Sequence, residues 1–456
     1  MIFLAYKENG LTSENLLEWT RKDFPALKNQ RDGMPPVYFD NACNTLVPEQ
    51  VIRTITEYYT DFPACGDRSR HRFAQEVNDR IGGNSDRGIK GSRTSIKEFI
   101  NAKSEKEIVF TLNTSHGINL VALGLRFKPG DTVITTDKEH NSNLIPWLRL
   151  QKLGRIKTDH VNTDQDGFLD LDALEGKLKG GSVRLVSMGY TSNLTGYTIP
   201  AKEVTSLAHR YGARVLLDAA QTVPHQTVDV QELDVDFLAF SMHKMCGPRG
   251  VGVLFGKEEL LGKEEHEEDE SEDVILPAML GGETINDTTY DGYTLLPPPK
   301  RFEVGLQDYA GEIAAGAAVQ YLRKVGMENI GAQEHILNGY LSRKLLERYG
   351  DAGWFRILGP KDVACRGGIL TFEVKRPNAF GIADELSERS DVMIRDGFFC
   401  VHSYLNKEFG QGWSGPKLPS EQRMTYRVSL YFYNTLHECD VFADTLHEIF
   451  QERCYI

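Results

Sequence analysis

Four polar side chains follow apolar, β-branched segments of the sequence, at the points where strands are predicted to end. Lys244 follows FLAFSMH, and Asp218 follows ARVLL. Asn193 follows SVRLVSMGYTS, and His140 follows TVITTDKE. Because ligands of parallel sheets bind beyond the carboxyl ends of the strands, we expect these four side chains to meet at one edge of a sheet.

Lys244 and Asp218 form the pair with the clearest chemistry. A buried lysine tends to lose its proton and act as a nucleophile, and a buried carboxylate needs a positive partner. Pyridoxal phosphate uses this pairing, with the lysine in a covalent Schiff base and the carboxylate on the pyridine nitrogen. A plain buried ion pair would give the same pattern, so these two residues alone leave both interpretations open.

The segment TLNTSHGINLVALGL offers a place for a phosphate. It sets Asn113, Thr114 and Ser115 between the predicted strand EIVFTL and a helix. Backbone N–H groups and hydroxyls at the start of a helix can hold a phosphate. A short Thr-Ser turn is more often only a helix N-cap, so the segment is ambiguous by itself.

The elements that must position these residues alternate between apolar strands and helical patterns. The strand-like segments are TVITT, SVRLVSMGY, ARVLLDAA, FLAFSM and GVGVLFG. In PAKEVTSLAHRYG, apolar residues at positions 204, 207, 208 and 211 predict an amphipathic helix between Pro200 and Gly212. This alternation is typical of an α/β fold with a mostly parallel sheet and crossover helices.

Three regions are predicted along the chain. Residues 1–35 contain the helical pattern SENLLEWTRKDFPALKNQ and are expected to pack with the small domain. Residues 36–310 form a large α/β domain, and residues 311–456 form a smaller α+β domain of long helices and a few strands. The acidic stretch KEELLGKEEHEEDESEDV, at about 257–274, predicts a solvated loop insertion.

Composition narrows the classes of partner. The chain has 456 residues, is 40% hydrophobic and carries a formal net charge of -13, which argues against nucleic acid as a partner. No apolar stretch reaches the ~18 residues of a membrane span, and MIFLAYKENG is too short for a secretory signal, so we expect no membrane contact and a cytoplasmic location. The seven cysteines show no metal-ligand spacing, so no metal is expected, and most should be free thiols that pack as small apolar groups.

The longer motifs resemble those of class-V, fold-type I pyridoxal-phosphate enzymes, and among them the SUF-type and selenocysteine-lyase-like branch of the cysteine desulfurases. The resemblance runs from YFDNACNTLVP to YRVSLYFYNTLHECD, which is most of the chain. SMHKMCGPRGVGVLFG is similar to the family's Ser-Gly-His-Lys segment with its following Gly-Pro-x-Gly-x-Gly. Further similar segments are VLLDAAQTVPH, KEHNSNLIPW and SNLTG. The resemblance implies a large domain with a mostly parallel sheet, a smaller α+β C-terminal domain and pyridoxal 5'-phosphate as cofactor.

The resemblance also implies a role for each matching residue. Lys244 would bind the cofactor covalently, and His140 would stack on the ring as a further catalytic residue. Asp218 would contact the pyridine nitrogen, Gln221 the ring hydroxyl, and Asn193 both the ring oxygen and the substrate. The remaining cofactor contacts, at the phosphate, would be Thr114, Ser115, Ser241 and His243. The remaining substrate contacts would be Asn41, Arg395 and Arg427, the last through its fork of N–H donors.

The segment MIRDGFFCVHSYL resembles the desulfurases' Arg-x-Gly-x-x-Cys pattern through Arg395, Gly397 and Cys400. A protein thiolate near the substrate sulfur can accept that sulfur as a persulfide. The resemblance therefore implies an enzyme that converts L-cysteine to L-alanine and loads Cys400 in the small domain, with selenocysteine as an open alternative substrate. It also implies a homodimer, a sulfur-acceptor protein of unknown identity, and iron–sulfur cluster or other sulfur-compound biosynthesis.

Three residues depart from the family pattern. Phe398 and Phe399 stand where relatives often have histidines, so we expect less acid–base help and more apolar, slower surroundings for the thiol. Leu306 stands where a Thr usually reaches the phosphate of the neighbouring subunit. Phe398 and Phe399 keep one alternative open: another class-V reaction, such as a C–S lyase, an epimerase or a kynureninase-like cleavage, with Cys400 as a bystander. A second alternative is a non-catalytic sulfur-trafficking protein, against which the retained Lys244, Asp218 and Arg427 argue.

Overall fold

A computed structural model of the chain describes residues 19–164, 167–262, 272–408 and 423–456. Its strands are β1 (Val37–Tyr38), β2 (Ile108–Thr111), β3 (Thr132–Thr136), β4 (Lys157–Val161), β5 (Val183–Gly189), β6 (Arg214–Asp218), β7 (Phe237–Ser241), β8 (Gly252–Gly256), β9 (Ile285–Thr288), β10 (Tyr293–Leu295), β11 (Phe355–Ile357), β12 (Ile369–Val374), β13 (Val392–Met393), β14 (Arg395–Asp396) and β15 (Met424–Ser429). Its helices are α1 (Glu49–Asp61), α2 (Arg72–Gly82), α3 (Ser92–Phe99), α4 (Thr114–Gly124), α5 (Asn141–Lys152), α6 (Leu171–Leu178), α7 (Ala201–Arg210), α8 (Val230–Leu233), α9 (Glu258–Leu261), α10 (Tyr309–Val325), α11 (Met327–Tyr349), α12 (Ile382–Ser390), α13 (His402–Glu408) and α14 (Leu436–Glu452).

The large sheet has seven strands in the order β2-β8-β7-β6-β5-β3-β4. Strands β3 to β7 pair in parallel, and β8 runs antiparallel to both of its neighbours. The five strand-like segments of the sequence are β3, β5, β6, β7 and β8, with ends that differ from the prediction by no more than two residues. The predicted α/β fold with a mostly parallel sheet is therefore confirmed.

Burial on both faces explains why the central strands are apolar throughout. Every residue of β7 and β8 is buried, because helices cover both sides of the sheet. Helix α7 follows the predicted pattern, since Pro200 precedes it, Val204 and Ala208 are buried, and Gly212 leaves it with a φ of +76°. The sheet is thus a rigid base for the loops at its carboxyl edge.

The C-terminal part has its own antiparallel sheet in the order β11-β12-β15-β14, and a hydrophobic cluster around Phe372 and Phe442 lies against it. Strand β1 pairs with β13 and adds Val37 to this cluster. Helix α10, which the predicted division assigns to the small domain, instead buries Ala314 in the cluster of the large sheet. The division at residue 310 stays a prediction.

Two local predictions need correction. In the N-terminal segment, residues 1–18 lie outside the described residues. The predicted helix does not continue through Pro25, because proline has no backbone N–H to donate, and Pro25–Lys28 instead form a 3-10 helix. Near the acidic stretch, Leu260 and Leu261 are buried in α9, and Asp273 pairs with arginines 184 and 214, so its two ends are not a solvated loop. Residues 263–271 lie outside the described residues.

The cysteines are all unpaired, as predicted for most of them. Cys246 and Cys439 are buried, but Cys65 and Cys454 are exposed, so the expected packing as small apolar groups is wrong for these two. Cys400, the candidate nucleophile, is also exposed. Within the described ranges, no helix is both long and apolar enough to cross a membrane. In the same part of the chain, no group of His, Cys, Asp and Glu side chains could hold a metal ion.

Candidate active site

A cavity of about 320 Å³ opens at the carboxyl edge of the large sheet. Lys244, Asp218, Asn193 and His140 all line it, which confirms that the four residues meet at one edge. The cavity is also lined by the predicted residues Thr114, Ser115, Gln221, Ser241, His243, Arg395, Cys400 and Arg427. The fold thus brings residues from both parts of the chain to one site, and the individual roles stay predictions.

Lys244 ends a short 3-10 helix, Met242–Lys244, that directly follows β7. The turn is fixed because the Met242 N–H donates to the Val251 carbonyl at 3.0 Å. Burial lowers the pKa of Lys244, Asp218 opposes this shift, and the positive Arg427 adds to it. The amine therefore loses its proton more readily than an ordinary lysine, as a nucleophile must.

Asp218 is the last residue of β6 and is 7% exposed. Burial raises the pKa of Asp218, whereas Lys244 and a hydrogen bond from the Ala220 N–H at 3.0 Å lower it. The positive partner that a buried carboxylate requires is thus Lys244. The structure places the predicted pair together, in a cavity rather than in a closed ion pair.

The start of α4 forms the candidate phosphate site. Asn113 caps the helix by accepting from the His116 N–H at 3.0 Å, which leaves the Thr114 and Ser115 hydroxyls at the cavity. The Thr114 and Ser241 hydroxyl oxygens lie 2.6 Å apart, and Ser115 bonds to Ser142 at 2.6 Å. Hydroxyls from α4, β7 and α5 therefore converge where the helix dipole favours an anion.

A glycine makes this convergence possible. A Cβ on Gly252, the first residue of β8, would lie 2.5 Å from the Cα of Asn113. Only glycine therefore lets the N-cap of α4 pack directly on the strand that returns from Lys244.

His140 and His243 are held as neutral rings. Burial, with Lys244 and Arg427 nearby, lowers the pKa of His140 to about 3. Its Nδ1 accepts from the Ser142 N–H at 3.1 Å as the cap of α5, which places the remaining ring proton on Nε2. Burial and Lys244 lower the pKa of His243 to about 4. Both rings are therefore uncharged near pH 7.

Gln221 has one free acceptor. Its Nε2 donates to the Ala42 carbonyl at 2.7 Å, while its buried Oε1 has no partner among the described residues. A buried acceptor without a donor costs about 1–3 kcal/mol, so the site is complete only with a donor from outside the chain.

Arg427 and Arg395 stand opposite each other on the paired strands β15 and β14, so their side chains share a face. Arg427 is 2% exposed and donates to Asp40 and to the Asn193 carbonyl, each at 3.2 Å. Its Nε is buried and has no hydrogen-bond partner within the described part of the chain. Arg395 lies 3.6 Å from the other oxygen of Asp40. Two cations thus share one carboxylate, and positive charge is left for an anionic substrate group.

Cys400 lies on a tight turn after β14. Gly397 has a φ of +92°, and Phe399 and Cys400 are also left-handed, with φ of 48° and 60°. Asn193 donates to the Phe399 carbonyl, and the Asn141 N–H donates to the Cys400 carbonyl, each at 2.7 Å. Such backbone conformations persist only where neighbours hold them, and the thiol they present is exposed.

Phe398 and Phe399, the two departures from the family pattern beside Cys400, lie in different surroundings. Phe399 is buried with Leu194, and the Arg427 guanidinium lies 5.0 Å from the centre of its ring. Phe398 stacks on His402 at 5.1 Å between ring centres. Cys400 itself is an exposed residue, so these two rings do not bury it. A histidine is also still close, since the Asn141 side chain bonds to Nδ1 of His402 at 3.0 Å.

Asn41 is placed differently from its predicted role in substrate binding. It is fully buried, and its amide donates to the Ser429 carbonyl at 2.7 Å and to Asn434 at 3.1 Å, while its oxygen accepts from Tyr433. Its neighbours Ala42 and Cys43 line the cavity instead. Asn41 therefore fixes the cavity wall, and its contact with a substrate has no support in the geometry.

Several cavity residues were missed by the sequence reasoning. Glu139 is buried and accepts from the Gly189 N–H at 2.9 Å and from Asn143 at 2.7 Å, which ties the loop after β3 to the end of β5. Burial raises the pKa of Glu139 to about 7. Lys138 is 9% exposed, and its Nζ lies 4.3 Å from the ring centre of Tyr404. The signal was available, since both residues directly precede His140.

Pyridoxal phosphate fits this set of residues. Lys244 supplies an amine with a lowered pKa, Asp218 supplies a buried carboxylate, and the start of α4 supplies an anion site. Gln221 supplies the unpartnered acceptor. When bound, this cofactor withdraws electrons from an attached amino acid and so weakens bonds next to its α-carbon.

Comparison with known proteins agrees with the site. The sequence profile described as Aminotransferase class-V matches residues 37–442, so the chain belongs to the class-V aminotransferase family and pyridoxal phosphate is its cofactor. A protein of Pyrococcus abyssi named probable cysteine desulfurase is 35% identical over 95% of this chain and 97% of its own length. A cysteine desulfurase of Synechococcus elongatus is 36% identical over 94% of this chain, which spans 63% of that relative.

A solved structure shows the same fold. The apo structure of a cysteine desulfurase from Thermococcus onnurineus NA1 is 34% identical, with a TM-score of 0.83, over 95% of this chain and 98% of that one. These relatives support an enzyme of the cysteine desulfurase type and confirm the family resemblance of the sequence.

Proposed function

We propose that the protein is a pyridoxal-phosphate-dependent cysteine desulfurase that converts L-cysteine to L-alanine and passes the sulfur to Cys400 as a persulfide. The observation that carries the proposal is the meeting of Lys244, Arg427 and Cys400 in one cavity. They supply an amine for the cofactor, a cation for the substrate carboxylate, and a thiol for the sulfur. A binding protein without catalysis would not need all three.

The reaction balances without a further reagent. The C–S bond of cysteine breaks, an S–S bond to Cys400 forms, and hydrogen replaces sulfur on the β-carbon, so L-cysteine and a thiol give L-alanine and a persulfide. Arg427 orients the substrate through its guanidinium, since its neighbours Asp40 and Asn193 hold it in place. Lys244 is the group placed to move protons, because burial lowers its pKa. The neutral His140 can donate a hydrogen bond from Nε2, since its Nδ1 accepts from the Ser142 N–H.

Several further features belong to this proposal. The exposed Cys400 can be reached by a sulfur-acceptor protein, for iron–sulfur clusters or other sulfur compounds. The seven unpaired cysteines suit the reducing cytoplasm. Selenocysteine is an alternative substrate with the same binding groups.

A homodimer is supported by the exposed apolar side chains along one stretch of the chain. They are Leu276, Met279, Leu280, Tyr290, Tyr293 and Leu306. Leu306 is 68% exposed, where the Thr of relatives would reach a neighbouring subunit.

The test is Cys400→Ser in the cofactor-loaded enzyme, with Cys65→Ser as an exposed cysteine away from the cavity. We expect the rate of L-alanine formation from L-cysteine to fall by ~10²-fold or more in the first variant and to be unchanged in the second. The visible absorption of bound cofactor should be unchanged in both. Pyruvate as the product, or full alanine formation without Cys400, would instead favour the C–S lyase or another class-V reaction.

A further inference from the structure

A second thiol lines the same cavity as Cys400. Cys43 lies after β1, is half-buried, and shares the cavity wall with Lys244 and Cys400. The backbone around it is fixed, because the Cys43 N–H donates to the Asp40 carbonyl at 3.1 Å and the Ala42 N–H donates to Ser429 Oγ at 2.9 Å. The position of Cys43 is therefore as well defined as that of the proposed sulfur acceptor.

The turns that carry the two thiols are joined by the same arginines. Asp40, three residues before Cys43, pairs with Arg427 at 3.2 Å and with Arg395 at 3.6 Å. Arg427 in turn stacks on Phe399, the residue before Cys400. The two turns thus form adjacent parts of one wall, with two guanidinium groups between them.

Cys43 and Cys400 both affect the pKa values of the same two cations, Arg395 and Lys244. Burial lowers the pKa of Arg395, but Cys43, Asp40 and Cys400 outweigh it, and Cys43 also bonds to the guanidinium, so the pKa of Arg395 is raised. Burial sets the lowered pKa of Lys244, and both thiols oppose that shift. The two thiols therefore lie near the same positive groups of the cavity, and the thiolate is the form of cysteine that attacks sulfur.

We propose that Cys43 is a second sulfur acceptor, which takes the outer sulfur from the Cys400 persulfide inside the cavity. The Cys43 thiolate attacks the outer sulfur, a new S–S bond forms, and the S–S bond to Cys400 breaks. Cys400 leaves as a thiolate, so sulfur and electrons balance without an oxidant. The inference rests on the proposed function, since it needs a loaded Cys400.

The relay has a measurable consequence. Once Cys43 holds the first sulfur, the thiolate of Cys400 is free to accept a second one. Without a reductant or an acceptor protein, the cofactor-loaded enzyme should therefore form about two L-alanine molecules per chain in its first rapid phase. The variant Cys43→Ala should form about one, because only Cys400 can then hold sulfur. Cys65→Ala, an exposed cysteine outside the cavity lining, is the matched control and should behave as the wild type.

Peptide mass spectrometry after treatment with L-cysteine locates the sulfur. We expect one added sulfur on the Cys43 peptide and one on the Cys400 peptide of the wild type, and none on Cys43 in Cys400→Ser. Thermal unfolding of each variant confirms that it is folded, and Cys43→Ser provides a second replacement of similar size.

Each other outcome counts against a defined part of the scheme. Sulfur on Cys400 alone, with an unchanged first phase in Cys43→Ala, overturns the relay and leaves the proposed function intact. A disulfide between the two cysteines with release of sulfide overturns transfer of the outer sulfur. Absence of both sulfur loading and alanine overturns the proposed function itself.

Discussion

The two sides of the cavity are built in different ways. On one side, Lys244 and Asp218 directly follow strands of the large sheet, where apolar residues are buried on both faces. On the other side, Cys400 is exposed at the end of a turn with left-handed residues, which Asn193 and Asn141 hold through two hydrogen bonds. In the proposed function, the sheet side would bind the cofactor and the turn would present the cysteine that receives sulfur.

This difference in burial lets one cavity hold both buried groups with shifted pKa values and an exposed cysteine. Burial shifts the pKa values of Lys244, Asp218 and Glu139, which an exposed site could not do. Cys400 is instead exposed, on a tightly constrained backbone, as the proposed transfer of sulfur to another protein requires. Changes on the sheet side should therefore affect cofactor chemistry, and changes on the turn should affect only sulfur transfer.

The largest effect is expected for Lys244→Ala. Removal of the amine should lower kcat for alanine formation by at least ~10³-fold, because the group that binds the cofactor and moves protons is lost. Borohydride reduction should attach the cofactor to the wild type and leave the variant unlabelled. Lys202→Ala, which removes an exposed pair with Glu232, should keep full activity and labelling.

Asp218→Asn should lower kcat by ~10²-fold, since the buried negative charge of the sheet side is removed. Asp218 opposes the lowering of the Lys244 pKa, so the pKa of the lysine should fall further in the cofactor-free variant. A pH series of Lys244 modification measures this shift. An unchanged profile would mean that the two groups are not coupled. Asp234→Asn is the exposed control.

The raised pKa of Glu139 makes the stability of the folded protein depend on pH. Burial raises its pKa from the usual 4.5 to about 7, so the folded protein holds this proton more tightly than the unfolded chain does. The resulting stabilisation is complete below pH 4.5 and is lost as the pH rises to about 7.

Urea unfolding at about pH 5 and about pH 8 measures this effect. Between the two pH values, the free energy of unfolding should fall by about 2 kcal/mol more for the wild type than for Glu139→Gln. Equal losses would place the titration on another group. Glu49→Gln, at an exposed position, should follow the wild type.

Arg427→Lys tests the substrate side of the cavity. The charge is kept but the fork of donors is lost, so KM for L-cysteine should rise about 10-fold while cofactor affinity changes little. Equal loss of cofactor binding would show that Arg427 serves the cofactor. Arg323→Lys, whose partner Glu98 lies on another surface, serves as the control.

Gly397→Ala should give the smallest effect and should touch only the turn. An added Cβ meets no atom within 4 Å, so the cost of about 1 kcal/mol comes from the φ of +92° alone. Sulfur loading of Cys400 should slow while cofactor absorption is unchanged. Gly353→Ala, which also has open space but no positive φ, should leave both unchanged. Loss of cofactor in Gly397→Ala would show that the two sides are not separable.

Much of the sheet side followed from the sequence. The apolar segments of the sequence located β3, β5, β6, β7 and β8 closely, because residues buried on both faces must be apolar. The partly exposed β4 gave no such signal. Lys244 lies near Asp218 because the strands that precede them, β7 and β6, pair in parallel in the structure. The helix around Val204 was equally clear, since its stripe and its flanking Pro200 and Gly212 are local signals.

Other features needed the tertiary structure. The resemblance predicts a substrate contact for Asn41 and no role for Cys43, but only Cys43 lines the cavity. Which of these two residues faces the cavity depends on partners far along the chain, here Ser429 and Asn434, which bind the Asn41 side chain. The exposure of Cys400 was also not readable, because its neighbours Phe398 and Phe399 are apolar.

The sequence by itself determined the class of chemistry, since a lysine, a carboxylate and a cysteine in family-like motifs specify a cofactor and a sulfur acceptor. Only the tertiary structure decided that Cys43 and Cys400, more than 350 positions apart, line one cavity. The physical reason is that local patterns encode burial and backbone geometry, whereas the pairing of Asp40 with Arg395 and Arg427 joins distant turns through charge.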